Sequence, residues 1–201
     1  MHQSSIEKMN AFRDKYLSAK INDPLRILDL GSQDVNGCYR SLFSELVWDY
    51  VGIDMAAGNN VDIVLNTPYV WREVASESAD VVISGQAFEH IQYFWITMLE
   101  VARVLKPGGI CCIIAPSSGP EHRYPMDCWR FYPDGMVSLA HFAQMEVIEA
   151  VTQWQDLGYD DSDCWHDSML VCRKPDKGIW WNKKSSLKRW LQHWTTTIGM
   201  R

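Results

Sequence analysis

Asp29, Gly31 and Gly37 in the stretch ILDLGSQDVNG, residues 27–37, together with Asp54 at the end of WDYVGID, are the residues whose types and spacing point most directly to chemistry. An apolar run that stops at an acid and then a glycine reads as a buried strand ending in a turn where backbone can approach a ligand closely. Gly37 stands where a following helix would present free N–H groups to an anionic group. Asp54 follows roughly twenty residues later at the end of the next apolar run, the place where one carboxylate accepts both hydroxyls of a ribose. The two features together point to an adenosine-containing ligand. A nicotinamide fingerprint needs three closely spaced glycines, and GSQDVNG has polar side chains where a pyrophosphate would need bare backbone. A phosphate-cradling loop ending in Gly-Lys-Ser or Gly-Lys-Thr is absent from the sequence. A ligand with one carboxylate in place of two phosphates fits the turn better.

The elements that must hold these residues alternate in type. SIEKMNAFRDKYLSAK sets Ile6, Met9, Phe12 and Tyr16 at helical spacing, an amphipathic helix on the outside of the fold. LRILDLG and WDYVGID read as strands with the helical stretch CYRSLFSEL between them. VDIVL and ADVVISG read as two more strands, and YFWITMLEVARVL as a helix stopped by KPGG. GICCIIAP, with no charge, reads as a central strand covered on both faces. This alternation predicts an α/β fold with a doubly wound, mostly parallel sheet, whose ligand lies beyond the carboxyl ends of the strands. The rim of that pocket is then Gly31, Asp54, Ser84-Gly85 and Ala115-Pro116.

A chain of 201 residues that is 47% hydrophobic predicts one domain, residues 1–172, with an extension over 173–201. The net charge of −6 is unevenly spread: the extension has eight Lys or Arg against Asp176, leaving about −13 on residues 1–172. An acidic body argues against nucleic acid as a partner. The first residues lack a secretory signal, so a cytoplasmic protein is expected. Six cysteines without metal spacing read as reduced and mostly buried thiols, and no metal site is expected. QWQDLGYDDSDCWHDS, residues 153–168, is acidic but lacks calcium-loop spacing and reads as a solvated turn.

ILDLGSQDVNG resembles the first motif of the class I S-adenosylmethionine-dependent methyltransferases, with Ser-Gln where Cys-Gly is commoner. YVGIDM resembles their acidic-loop motif, ADVVISGQAFEHI the fourth-strand motif, and VARVLKPGGICCIIAP the helix, turn and fifth strand. The resemblance covers about residues 20–150. It implies a Rossmann-like, seven-stranded sheet whose last strand, DSMLVCRK, runs antiparallel into the edge. It also implies S-adenosyl-L-methionine as cofactor. Asp29, Gly31, Ser32 and Gln33 would then lie around the methionine part, with Arg40 toward its carboxylate. Asp54, with Met55 beside it, would hold the ribose hydroxyls, and Asn66, Thr67, Ser84 and Gln86 would lie near the adenine or methyl end.

Methyl transfer from a sulfonium is an in-line displacement in which the protein aligns the partners and excludes water. A hydroxyl acceptor benefits from a base, and the candidates are His90 after the fourth strand and His122 in SSGPEHRYPMDCWRFYPDGM, residues 117–136. Asp127 would orient His122, while Tyr124, Trp129 and Arg130 would wall a polar acceptor. A plainer arrangement has Asp127 paired with Arg130 and Trp129 closing the core. This segment resembles the H…P.D.WRF.P stretch of a bacterial subgroup of type 11-like methyltransferases, many placed in polysaccharide or natural-product pathways. The expected function is methylation of a sugar, glycan intermediate or other small molecule, at oxygen rather than nitrogen. The alternative is a non-catalytic binding or scaffold protein of the same fold. In the extension, SSLKRWLQHW sets Leu187, Trp190, Leu191 and Trp194 on one helical face, suited to a homodimer, to the protein's own domain or to peripheral membrane contact.

Overall fold

Among the described residues seven strands form one sheet, side by side in the order β3 (Ile63–Val64), β2 (Trp48–Asp54), β1 (Leu25–Leu30), β4 (Ala79–Gly85), β5 (Leu105–Ala115), β7 (Ser168–Arg173) and β6 (Glu146–Thr152). The computed structural model describes residues 3–158, 162–176, 186–188, 190–192 and 194. The helices are α1 (Gln3–Tyr16), α2 (Phe94–Val104) and α3 (Pro133–Phe142). β1 to β5 pair in parallel, and β7 is antiparallel to both β5 and β6. The predicted antiparallel last strand is therefore present, but it inserts one place inside the edge, and β6 forms the edge.

Side-chain alternation divides the core between two faces of the sheet. On one face Leu28, Val82, Cys111 and Ile113 pack with Met98, Val101 and Ala102 of α2 and Met136 and Leu139 of α3. On the other, Ile27, Ile83, Cys112 and Ile114 pack with Met9 and Phe12 of α1. Adjacent Cys111 and Cys112 thus point to opposite layers. They and Cys172 are the buried cysteines, whereas Cys128 and Cys164 are exposed, so only half of the six thiols are buried. Each large apolar side chain buried in these layers contributes roughly 1.5–3 kcal/mol.

Three predicted elements come out differently. The stretch CYRSLFSEL forms only a 3-10 turn at Arg40–Phe43. Tyr39 and Phe43 are buried anchors, but Leu46 is fully exposed, and Ser44 bonds back to the Ser41 carbonyl, competing with a helical ladder. α1 covers that face of the sheet instead. VDIVL contributes a strand only at Ile63–Val64. The KPGG stop lies within β5: pairing jumps from Ala79–Leu105 to Val81–Ile110, and the intervening residues bulge out through Gly108 at φ +79°.

In the extension, Leu187, Trp190, Leu191 and Trp194 are all exposed, and Lys188 caps the Phe142 carbonyl at the end of α3. Among the described residues no helix is long and apolar enough to cross a membrane.

Candidate active site

The strand order reverses between β1 and β4, and a cavity of about 880 Å³ opens beyond their carboxyl ends. Its volume lies within the roughly 300–1,000 Å³ of small-molecule sites. One half is walled by Gly31, Gln33, Asp54 and Met55, and the other by Gln86, His90, His122 and Tyr124.

Gly31 makes the first wall possible. It sits at φ +79°, and a Cβ there would come within 2.5 Å of the Ala87 Cβ, so the crossing of β1 and β4 leaves room only for backbone. Its N–H donates to the Ile53 carbonyl at 3.0 Å, locking the turn to β2. Asp54 accepts the Gln33 N–H at 3.1 Å on one carboxylate oxygen and the Ala56 N–H at 3.1 Å on the other. Each oxygen keeps further acceptor capacity toward the cavity, which is what a diol requires.

Gln86 forms the floor. It holds a left-handed backbone at φ 57°, and its side-chain amide donates to Asp167 at 2.9 Å. Its Oε1 is buried with no hydrogen-bond partner among the described residues. An orphaned acceptor on a cavity wall fits a ligand that brings a donor. Asp167 also accepts the Ser4 hydroxyl at 2.7 Å, so the start of α1 fixes the same floor. The expectation of a solvated turn over 153–168 fails here, because Asp167 and Trp165 are buried; residues 159–161 of that stretch lie outside the described residues.

Several predicted cofactor residues are held away from the cavity. Asp29 is buried under the β1 end, where it accepts the Tyr50 hydroxyl, and burial raises its carboxyl to about 7. Ser32 donates to the Asn60 carbonyl at 3.1 Å and Ser84 to the Leu30 carbonyl at 2.9 Å. Arg40 pairs with Asp62 at 2.6 Å, bonds Asn60 and lies over the Tyr50 ring, so its charge is already matched. Asn66 is exposed and bonds Glu73, and Thr67 accepts the Tyr69 N–H at 3.3 Å. Apart from the local Thr67–Tyr69 bond, the sequence gives no sign of these pairings, because the partners come from other segments of the chain.

At the other end the loop after β5 folds over the cavity. Asp127 accepts both Arg130 terminal nitrogens, at 2.6 and 2.8 Å, and the His122 N–H at 2.8 Å. The Arg130 hydrogen bonds hold the Asp127 carboxyl well below the usual carboxylate range. Trp129 donates to the Gln92 carbonyl and packs on Phe94 and Trp95. Trp129 and Arg130 therefore shape the loop from behind, and neither lines the cavity; Tyr124 does.

His90 and His122 meet edge to face with ring centroids 4.9 Å apart. His90 Nδ1 faces the Met126 carbonyl, and burial lowers its pKa, favouring the neutral ring with a free Nε2. His122 Nδ1 lies 3.4 Å from Asp127 without a hydrogen bond. Glu89, fully buried behind the two rings, is pushed by burial to about 8. Glu89 followed the predicted strand in the sequence, but nothing there shows that its carboxylate joins two imidazoles.

Residues 28–113 match the model of a family described as methyltransferase domain. No curated protein sequence matches the chain. Among solved structures, the 1,6-didemethyltoxoflavin-N1-methyltransferase of Burkholderia thailandensis, with bound 1,6-didemethyltoxoflavin and S-adenosylhomocysteine, aligns with a TM-score of 0.64 at 14% identity, over 87% of this chain and 80% of that one. The YcgJ protein of Bacillus subtilis aligns with a TM-score of 0.63 at 15% identity, over 87% of this chain and 100% of that one. The [4+2]-cyclase SpnF aligns with a TM-score of 0.61 at 14% identity, over 83% and 81%. At such identities the likeness is one of fold. The methyltransferase-domain match runs from β1 into β5, and the β1/β4 reversal at which the cavity opens lies within that span.

Proposed function

We propose that the protein methylates a hydroxyl of a small polar acceptor, a sugar or glycan intermediate in first place, in the cytoplasm. The observation that carries this reading is that His90 and His122 face the same cavity as the Gly31–Asp54 rim. A hydroxyl is a poor nucleophile until its proton is drawn off, and two neighbouring imidazoles at the acceptor end supply a base. An amine acceptor has less need of one.

S-adenosylmethionine supplies an electrophilic methyl group on its sulfonium. Asp54 would hold the ribose hydroxyls, Gly31 and Gln33 would offer backbone to the amino-acid end, and Gln86 Oε1 would accept from a donor on the ligand. Asp29 and Arg40 act from behind this surface, Asp29 fixing Tyr50 and Arg40 tying the β1 turn to Asp62. At the acceptor end, His90 Nε2 is the free basic nitrogen, and Asp127 positions His122 through its backbone N–H. Tyr124 and Tyr69 present aromatic faces to the cavity, a surface suited to the apolar side of a sugar ring. Arg130 and Trp129 hold the loop that excludes water. The exposed Leu187, Trp190, Leu191 and Trp194 would serve a contact with a second copy or a membrane surface.

The test is product formation. Purified protein is incubated with S-adenosylmethionine and a panel of sugars, nucleotide sugars, phenols and amines, and S-adenosylhomocysteine and methylated acceptor are read by mass spectrometry. Methylation of hydroxyl acceptors is expected. Methylation of amines alone would overturn the oxygen assignment. Cofactor binding without any product would favour the scaffold reading.

A further inference from the structure

We propose that Glu89, His90 and His122 form a binding site for a first-row divalent metal ion, of the Zn²⁺, Mn²⁺ or Co²⁺ type, at the acceptor end of the cavity. Residue spacing does not point to such a site, because His122 lies far along the chain from the Glu89-His90 pair. The fold brings one ligand atom from each residue to within 4.8 Å of the others.

Three features of the cluster point to a cation. Glu89 has no exposed surface, and neither of its carboxylate oxygens has a hydrogen-bond partner among the described residues. A buried carboxyl with both oxygens unpartnered is an uncommon arrangement, and a cation that displaces its proton would supply the missing partner. The nearby guanidinium of Arg130 does not serve, since Asp127 holds it in a two-point pair. Second, His90 presents Nε2 to Glu89 at 3.6 Å, while its Nδ1 is fixed on the Met126 carbonyl. A ring nitrogen anchored to a backbone carbonyl leaves the other as a lone-pair donor, the usual arrangement of a metal-bound histidine. Third, the His122 backbone is tied to Asp127, which places its ring against that of His90.

Two imidazoles and one carboxylate suit borderline first-row ions better than Mg²⁺ or Ca²⁺, which prefer all-oxygen sites. Metal–ligand bonds of about 2 Å set neighbouring ligand atoms about 3.3 Å apart in a tetrahedron, so the side chains would draw together by about 1 Å on binding. Because His90 and His122 line the cavity, the remaining coordination positions open into it. An acceptor hydroxyl bound there would be oriented and made more acidic by the ion, with the imidazoles acting as ligands instead of bases. That last role rests on the hydroxyl-acceptor reading, whereas metal binding itself does not.

The experiment uses the full chain, freed of metal with a chelator and titrated with Co²⁺ in the absence of cofactor and acceptor, with Zn²⁺ as competitor. One equivalent should bind and give the visible absorption of a low-symmetry nitrogen and oxygen site. Glu89→Gln and His122→Ala should each weaken binding by more than the roughly 10–100-fold that loss of an outer partner costs. His141→Ala, on the exposed side of α3, should leave it unchanged. No uptake by the unaltered chain, or uptake indifferent to both cluster variants, would overturn the site. Should those variants fail to fold by circular dichroism, anomalous scattering from crystals grown with Co²⁺ decides: a peak among the three side chains supports the site, and its absence there overturns it. Failure of the methylation assay alongside one-equivalent binding would count against the acceptor reading and leave the metal site standing.

Discussion

Asp54 accepts the backbone N–H of Gln33 at 3.1 Å, so the carboxylate at the end of β2 also pins the turn that follows β1. The two halves of the proposed cofactor surface are thus one unit. Asp54→Ala should weaken S-adenosylmethionine binding by about 1–3 kcal/mol, through lost ribose contacts and a loosened turn. Calorimetry on the variant checks this, and unchanged affinity would remove Asp54 from the site.

Gly31→Ala should destabilise the fold by at least about 1–3 kcal/mol, since it combines a left-handed backbone with a Cβ 2.5 Å from that of Ala87. Ala87→Gly in the same chain should recover the steric part and leave the backbone part. Urea midpoints of the unaltered protein and the two variants separate the two parts. If the double variant is no more stable than Gly31→Ala, the contact with Ala87 is not what limits this position.

Burial raises Asp29 from 3.8 to about 7, so the folded protein holds this proton more tightly than the unfolded chain. The linked stability is fully present below about pH 4 and is lost as pH rises to about 7. Asp29→Asn, which stays neutral, should therefore gain stability relative to the unaltered protein over that interval and then level off. Urea unfolding from pH 4 to 8 measures the difference, and a flat difference would show that Asp29 ionises as freely in the fold as outside it.

His122→Ala should lower turnover while leaving S-adenosylmethionine affinity nearly unchanged, because His122 lines the half of the cavity away from Asp54. Asp127→Asn should act in the same direction by loosening the backbone N–H that places His122 and the pair with Arg130. Comparison of kcat with the cofactor dissociation constant for each variant tests this. Equal losses in both would assign the loop a general structural role.

The sheet was legible because its strands are runs of apolar residues ended by turn residues: LRILDLG, WDYVGID and ADVVISG gave the strands that carry the rim. Gly31 and Asp54 were legible for the same reason, since a residue at a strand end is placed by the sheet. Arg40 and Asn66 were not. Their side chains are captured by Asp62 and Glu73 from neighbouring segments, a competition that one-dimensional spacing does not display. Asp167 was hidden in an acidic run that reads as solvated, and only the insertion of β7 beside β5 carries it under Gln86. The helix expected at CYRSLFSEL failed because α1, distant in sequence, already covers that face.

The most direct measurement is calorimetric titration of the purified protein with S-adenosylmethionine, S-adenosylhomocysteine and NAD in parallel. The cavity between Gly31, Asp54 and Gln86 should take up one equivalent of each adenosyl-sulfur ligand and no NAD. Binding of NAD, or of none of the three, would contradict the assignment of this cavity as an S-adenosylmethionine site.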